Sequence, residues 1–591
     1  MSANCFVGSV RSGLILALLC VVGCDQTTVR RPQKQINQAA SSDQELIDKA
    51  LEYLENLDQF REQQALAQAA YHLNRWIENQ SLSSSWTPDE RVARLPRIVR
   101  EHGDDATLGS RRFTNDDILA LQEAVWMRQV ARWVSQQPLP AATAAWLEKN
   151  RSRLGEYEAD QLAVASRLFD WTVRNIQLTE LIPHPEDAAS APSSKGETQQ
   201  AAEPAAVRGI PGPGYYLEAR QVLLYGQGDA WQRMRVFTLL ARQQGIDVVT
   251  LAFPGKTIPP RPRPWVSGVV VKDQLYLFDA QLGLPLPGRD LEGIATLQQV
   301  RDDPTLLSAL GTADHPYQVE PRDLAEVAAL IDVIAPHLSQ RFQLLEKQLL
   351  GERRTVLTVA LTPLAQKLES CPGVYDVYVW SVPFEAGWFR STYERLMRND
   401  ERLAADYALR FGIFANHSSL ARARYLYFRG ELDTQDEHKG AKELLMESRI
   451  NKDDLDALAH DVEIQKQFGL ERTNRHTDAL WQAQLSAVRH MMLSTKQCAS
   501  FWLGLFQLES GRLDSAAEWL KSRSLAPWPD GMWAPAARYN LARTYEAQGK
   551  LDKAQEVLLA DTSPQSQGNY LRARLLQRQL AASSPSSASQ P

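Results

Sequence analysis

The chain has 591 residues, 44% hydrophobic and 23% charged, which allows about three or four domains with cores of their own. Its formal net charge of −6 excludes a dedicated nucleic-acid binder, which needs a basic surface to neutralise phosphates.

At the N-terminus, Arg11 precedes an apolar run from Gly13 to Val22, too short to span a bilayer but long enough for a signal-peptide core. The run ends in "VVGC", Val21 to Cys24. Small residues directly before a cysteine resemble the bacterial lipobox. The resemblance implies that residues 1–24 are a lipoprotein signal and that Cys24 is lipidated, becoming the first residue of the mature chain. Residues 25–42 then read as a flexible tether to a membrane, on its periplasmic side or at the cell surface. Cys5 and Cys20 leave with the signal, so Cys371 and Cys498 remain. Whether those two pair stays open, and nothing has the spacing of a CxxC metal site.

Residues 43–157 read as a helical region. Ser42 and Glu45 fit a capping box, and Ile47, Ala50, Leu51, Leu54 and Leu57 recur at helical spacing. The pattern returns from Thr114, and Trp76, Trp126, Trp133 and Trp146 are expected in the core. A helix ending near Leu178 opens a domain over 158–310. This domain is interrupted at 183–207 by an Ala/Ser/Pro/Glu-rich stretch with no apolar periodicity, expected to be a flexible insertion. Order resumes at Tyr215, with a helix from about Ala230 to Gln244 closed by Gly245. "DVVTLAF", "WVSGVVV" and "QLYLFD" then read as strands, the last two joined in a hairpin at Lys272 and Asp273.

Residues 311–420 are expected to hold a small α/β and helical connector, with strands at Thr355 to Ala360 and Val374 to Trp380. From 421 to 580 the chain reads as helices, and 581–591, rich in Ser and Pro, as a disordered tail. Near the C-terminus "LGLFQLESGRLDSAAEWL" and "LARTYEAQGKLDKAQEVL" superpose with a 38-residue offset, matching Gly511 to Gly549, Leu513 to Leu551, Ala516 to Ala554 and Leu520 to Leu558. This resembles the tetratricopeptide repeat, in which small residues let paired helices touch and a Gly sits in the turn. The longer period implies a longer turn between repeats, helped by "PWPDG", and a weaker copy begins at "ARARYLYFRGELD". Such repeats bury their apolar faces by stacking and offer surfaces to protein partners.

A second resemblance rests on Gly228, Arg242, Gly245, Ile246 and "PWVSGVVVKDQLYLFDA". Their spacing resembles the transglutaminase-like segment of the papain-type thiol fold. That family places a nucleophilic Cys at the start of the helix, a His on the next-but-one strand and an Asp at the end of the hairpin. Here Ala230 stands at the Cys position, Pro264 near the His position and Asp279 at the Asp position. No His occurs between His184 and His315 and no Cys between Cys24 and Cys371, so thiol chemistry of the family's kind is absent from that segment. Asp279 then reads as a strand-end turn residue. Asp229 or Gln232 could line the former cleft. Cys371 and Cys498 lack a neighbouring His in sequence. "GQGD" has a GxG without the rest of a dinucleotide motif.

The proline-rich loop "PGKTIPPRPRP" carries Lys256, Arg261 and Arg263 without local counter-charges. It reads either as a basic ridge for an acidic partner or as a solvated connector.

Together these features predict a mainly α chain with an embedded α+β domain: a helical N-terminal region, a transglutaminase-like domain with a small antiparallel sheet, and C-terminal tetratricopeptide-like repeats. The expected function is that of a non-catalytic envelope lipoprotein that binds protein partners, reaches the membrane through its lipid anchor and uses no cofactor, metal or nucleic acid. An active hydrolase or acyl-transferase with another nucleophile, and a peptide- or glycan-binding module, are the alternatives. A small-molecule ligand is not specified by the sequence.

Overall fold

The computed structural model describes residues 42–81, 83–95, 108–183, 207–255, 262–311, 316–317, 319–415, 418–436, 438–473 and 476–583. The described chain is mainly helical, with one six-stranded mixed sheet. The helices used below are α1 (Asp43–Glu55), α2 (Asn115–Val134), α3 (Glu156–Asn175), α4 (Ala230–Gln243), α5 (Leu361–Glu369), α6 (Ser419–Phe428), α7 (Asp478–Glu509), α8 (Leu513–Glu518), α9 (Ala534–Ala547), α10 (Leu551–Leu559) and α11 (Ser566–Ser583). The strands of the sheet are β1 (Val248–Phe253), β2 (Arg263–Val271), β3 (Gln274–Asp279), β4 (Leu284–Pro285), β5 (Val327–Ile331) and β6 (Val374–Val379). No described helix is long and apolar enough to cross a membrane.

Two compact units form, one from Met1–His72 with Tyr393–Ala534 and the other from Leu73–Thr392 with Pro535–Pro591. The division at residue 72 falls inside the expected helical region 43–157, whose first helix stays with the segment just after it, Tyr53 meeting Phe60 and His72, and shares its unit with residues from 393 onward.

In the first unit, Ser42 caps α1 by accepting from Glu45 N at 3.2 Å. The reciprocal half of the expected capping box does not form, because the Glu45 carboxylate turns outward to Lys49 at 2.6 Å. Leu46, Ile47, Ala50, Leu51 and Leu54 are buried on one face of α1. Arg429 ties the end of this segment down, donating to Glu55 O at 2.8 Å and to the Asp58 carboxylate at 2.7 Å. Arg424 on α6 is wholly buried and lies 4.3 Å from the Trp502 ring centre on α7. Burial pulls its pKa down to about 10, and the stacked rings help to hold the charge. Where α7 turns back into α8, a Cβ added to Gly504 would lie 2.7 Å from Leu520 Cγ, so only Gly permits the approach. Gly511 ends α7 with a left-handed φ of 70°, and the matched Gly549 ends α9 with 73°. After α8 the helix continues in π form through Trp519–Leu525, and "PWPDG" forms the turn that follows.

In the second unit the strand order is β4-β3-β2-β1-β5-β6, antiparallel except for the parallel pair β5–β6. The hairpin turn lies at Lys272 and Asp273, with Val271 opposite Gln274 and Lys272 at φ 56°. One face of the sheet, with Val249, Leu251, Val266, Leu277 and Ala329, is covered by Leu361, Ala365 and Leu368 of α5. On the other face Phe169 of α3, Phe237 of α4 and Phe278 of β3 meet with ring centres 5.1 to 5.5 Å apart. Asp117 of α2 makes two bonds, of 2.7 and 2.9 Å, to the buried Arg341 while completing a capping box with Thr114.

The strand expected at Thr355 to Ala360 is extended coil, and Val327–Ile331, not anticipated, takes the place beside β1. The strand at Val374–Val379 therefore joins the main sheet instead of forming a separate piece. Of the expected core tryptophans, Trp76 and Trp126 are buried, while Trp133 and Trp146 are half-buried. Helix α11 runs to Ser583, into the expected tail. The rest of the tail, Cys24 and nearly all of the tether and insertion lie outside the described residues.

Candidate functional site

Helix α4 opens beside the sheet with Asp229 as its N-cap. Asp229 Oδ1 accepts from Gln232 N at 2.9 Å, and Gln232 Oε1 accepts from Asp229 N at 2.9 Å. Asp229 Oδ2 accepts from Gly214 N at 2.8 Å, and the Gln232 amide donates to Leu217 O at 3.1 Å. Both side chains are buried and spent in this cap, so neither lines an open cleft as expected. Burial pushes the Asp229 carboxyl up to about 6, outweighing the backbone N–H groups of Gly214, Gln232 and Trp231 that pull it down. Ala230, the first helical residue, presents a buried methyl group.

Asp279 ends β3. Its Oδ1 accepts from Gln281 N at 2.8 Å and Leu282 N at 2.9 Å, which is the expected turn role. It also does something the sequence reading missed. Asp279 Oδ2 accepts from the Tyr317 hydroxyl at 2.6 Å, and the Tyr317 hydroxyl oxygen in turn accepts from Trp265 Nε1 at 2.8 Å. Trp265 reaches this position through a β-bulge: Leu251 faces Val266 and Ala252 faces Pro264, leaving Trp265 without an opposite residue. The freed ring stacks on Phe253 at 4.9 Å. Burial raises the Asp279 pKa against the pull of Tyr317 and two backbone N–H groups, and burial with the Asp279 charge raises Tyr317 well above the usual phenol range.

Pro264, at the expected His position, pairs across the strand with Ala252. Arg263 is not uncompensated: its guanidinium lies 3.4 Å from Asp323 and 5.3 Å from the Phe253 ring centre. Lys256 and Arg261 lie outside the described residues, so only one cation of the proposed ridge has a described position.

Cys371 and Cys498 are free and buried. Burial pushes the Cys371 thiol up to about 11 and Cys498 well above the usual range. Cys371 Sγ donates to Lys367 O at 3.4 Å. Among the described residues no group of three or more His, Cys, Asp or Glu could hold a metal ion.

Two charged layers, neither visible in the sequence, hold α4 and the C-terminal helices in the second unit. In the first, buried Arg235 lies 3.7 Å from Glu123 and 3.3 Å from Asp332. Glu218 takes Arg220 and Arg390, each at 3.0 Å, which hold it below the usual carboxylate range although burial alone would raise it. His337 is driven well below the usual imidazole range by burial and by Arg242 and Arg235. In the second layer α9 is committed to α3 and the residues just after it: Asn540 donates to Arg174 O at 2.9 Å and Ala536 N donates to Gln177 Oε1 at 3.1 Å. Arg543 forms an ion pair with Asp170 at 2.5 Å, and Arg572 of α11 grips Glu546 with two bonds of 2.6 Å. This face of the later repeat copy is turned to the chain's own helix.

Compared with known proteins, the chain matches no family model, no curated protein and no solved structure.

Proposed function

We propose that the chain is an envelope lipoprotein, anchored through Cys24, that binds protein partners through a catalytically silent transglutaminase-like domain and tetratricopeptide-like repeats. The Trp265–Tyr317–Asp279 chain carries this reading. Asp279, which in the family would orient a histidine, has its second oxygen bonded to a phenol that an indole bonds in turn. A phenol raised by burial and an indole N–H offer no base to activate a nucleophile at neutral pH. Ala230 offers no atom to activate, and both remaining thiols are held protonated by burial. Because α9 is engaged with α3, partners meet the earlier helices, including the copies at Ala421–Leu445 and Leu503–Leu520.

The test is crosslinking in intact cells, with the captured proteins identified by mass spectrometry. Reproducible partners, and loss of the protein from the membrane fraction in Cys24→Ser, are expected. Labelling of either cysteine by a thiol probe that is fast near neutral pH and blocked by a peptide substrate would replace this reading with an enzyme.

A further inference from the structure

We propose that a small pocket in the second unit binds a monovalent anion of chloride size, held by Arg233 and Tyr539. Arg233 sits on α4 one turn past Ala230 and is 2% exposed. Its N–H groups meet neutral oxygens: Nε donates to Ile176 O at 2.8 Å, and Nη1 to Ala280 O at 3.1 Å and Gln565 Oε1 at 2.5 Å. Nη2 donates to Ile176 O at 2.5 Å and reaches Val173 O only at 3.5 Å. Among the described residues no carboxylate bonds this guanidinium. Burial pulls its pKa down to about 9, with the nearby Tyr539 acting the other way. Carbonyl dipoles offset part of the cost of burying a cation, and a counter-ion offsets more.

The pocket beside Arg233 is walled by Gln177, Tyr539, Gln565 and Ser563 on its polar side, the Ser563 hydroxyl donating to Asp561 at 2.6 Å, and by Leu178 and Pro535 on its apolar side. Its enclosed part has room for about one particle near water size. Two donors on its wall are under-used. One is the second N–H of Arg233 Nη2, whose contact with Val173 O is long. The other is the Tyr539 hydroxyl, which accepts from Arg543 Nη1 at 3.3 Å while its own hydrogen meets no acceptor among the described residues. A neutral water needs acceptors as well as donors. An anion takes both donors and cancels the buried charge. The ion would join the end of α3, the first turn of α4, and the starts of α9 and α11, fastening the C-terminal helices to the core of the unit.

The experiment is thermal unfolding of the full chain at constant ionic strength, with sodium chloride exchanged stepwise for sodium gluconate, beside crystals grown in sodium bromide. A saturable rise of Tm with chloride and one bromide peak in contact with Arg233 are expected. Tyr539→Phe keeps the ring and should weaken half-saturation about tenfold by removing one charge-assisted bond. Gln177→Glu keeps the acceptor for Ala536 N, puts a carboxylate on the pocket wall and should abolish the chloride response. Equal Tm in the two salts, a response as large in Gln177→Glu as in the parent, or the absence of a bromide peak would overturn the proposal and leave the pocket to water.

Discussion

Tyr317 donates its hydroxyl hydrogen to Asp279 at 2.6 Å, which ties a buried carboxylate at the end of β3 to a residue 38 positions later. The bond lies at the open end of the hairpin, where the bulge at Trp265 turns an indole N–H toward the Tyr317 hydroxyl oxygen.

Replacing Tyr317 by Phe removes one donor to a buried carboxylate. The expected cost is about 1.5–3 kcal/mol in urea unfolding, the usual range for a bond to a charged group. Adding Asp279→Asn should recover part of that loss, since a neutral amide tolerates the missing donor better. A double mutant no more stable than Tyr317→Phe would mean that Asp279 gains nothing from the phenol.

Asp229 should make the second unit less stable as pH rises from about 4 to 6. Its folded value of about 6 lies above the ordinary 3.8, so the folded state holds the proton more tightly and stability falls while only the unfolded chain ionises. At about 1.4 kcal/mol for each pH unit between the two values, the loss approaches about 3 kcal/mol by pH 6 and is flat above. Asp229→Asn should remove that slope while still capping α4. Parallel slopes for the two proteins between pH 4 and 6 would count against the assignment.

Arg543→Met should loosen α9 from α3. Asp170 keeps Arg174 at 2.7 Å but loses the closer of its two cations, at a cost of about 3 kcal/mol for breaking a buried pair. Although burial alone would raise it, Arg543 and Arg174 hold the Asp170 carboxyl well below the usual range. Its contribution is therefore present above the unfolded value and is lost as pH falls through the folded one. In the variant this acid loss should be shallower. Limited proteolysis reads the loosening directly, as earlier cleavage near residues 526–533.

The two cysteines should react slowly in the native state. With Cys371 raised to about 11 and Cys498 higher, little thiolate exists at pH 7, and burial blocks access. Alkylation followed by mass spectrometry should label both within minutes in denaturant and neither in native buffer over the same time.

Much of the second unit's centre could be read from the residues alone. Helix α4, its Gly245 cap and the Lys272–Asp273 hairpin follow from local signals: an apolar stripe, a glycine free to take positive φ, and β-branched runs flanking a two-residue turn. The offset pairing Gly511 with Gly549 likewise marks two real helix ends. Strand β5 was not legible, because "VAALI" is short, uniformly apolar and equally compatible with a helix, whereas "TVLTVA" has strand composition but no strand partner. The partners of Asp279 and Arg233 were hidden for another reason. Tyr317 and Gln565 are ordinary residues far along the chain, and only folding brings them to the site. Arg263 carried a misleading signal, since its partner Asp323 lies 60 positions away and a count of nearby charges could not find it.

The chain's passage from one unit to the other at residues 72, 392 and 534 sets an order of events during synthesis. Asp58 must wait for Arg429, 371 residues later, before its pair can close. At typical elongation rates that delay lasts about 20 to 70 seconds. During it the Asp58 carboxylate and the Glu55 carbonyl stand without the guanidinium that later ties them down. A product that stops short of Arg429 would lack that tie, and no single cut in the gene releases either unit whole.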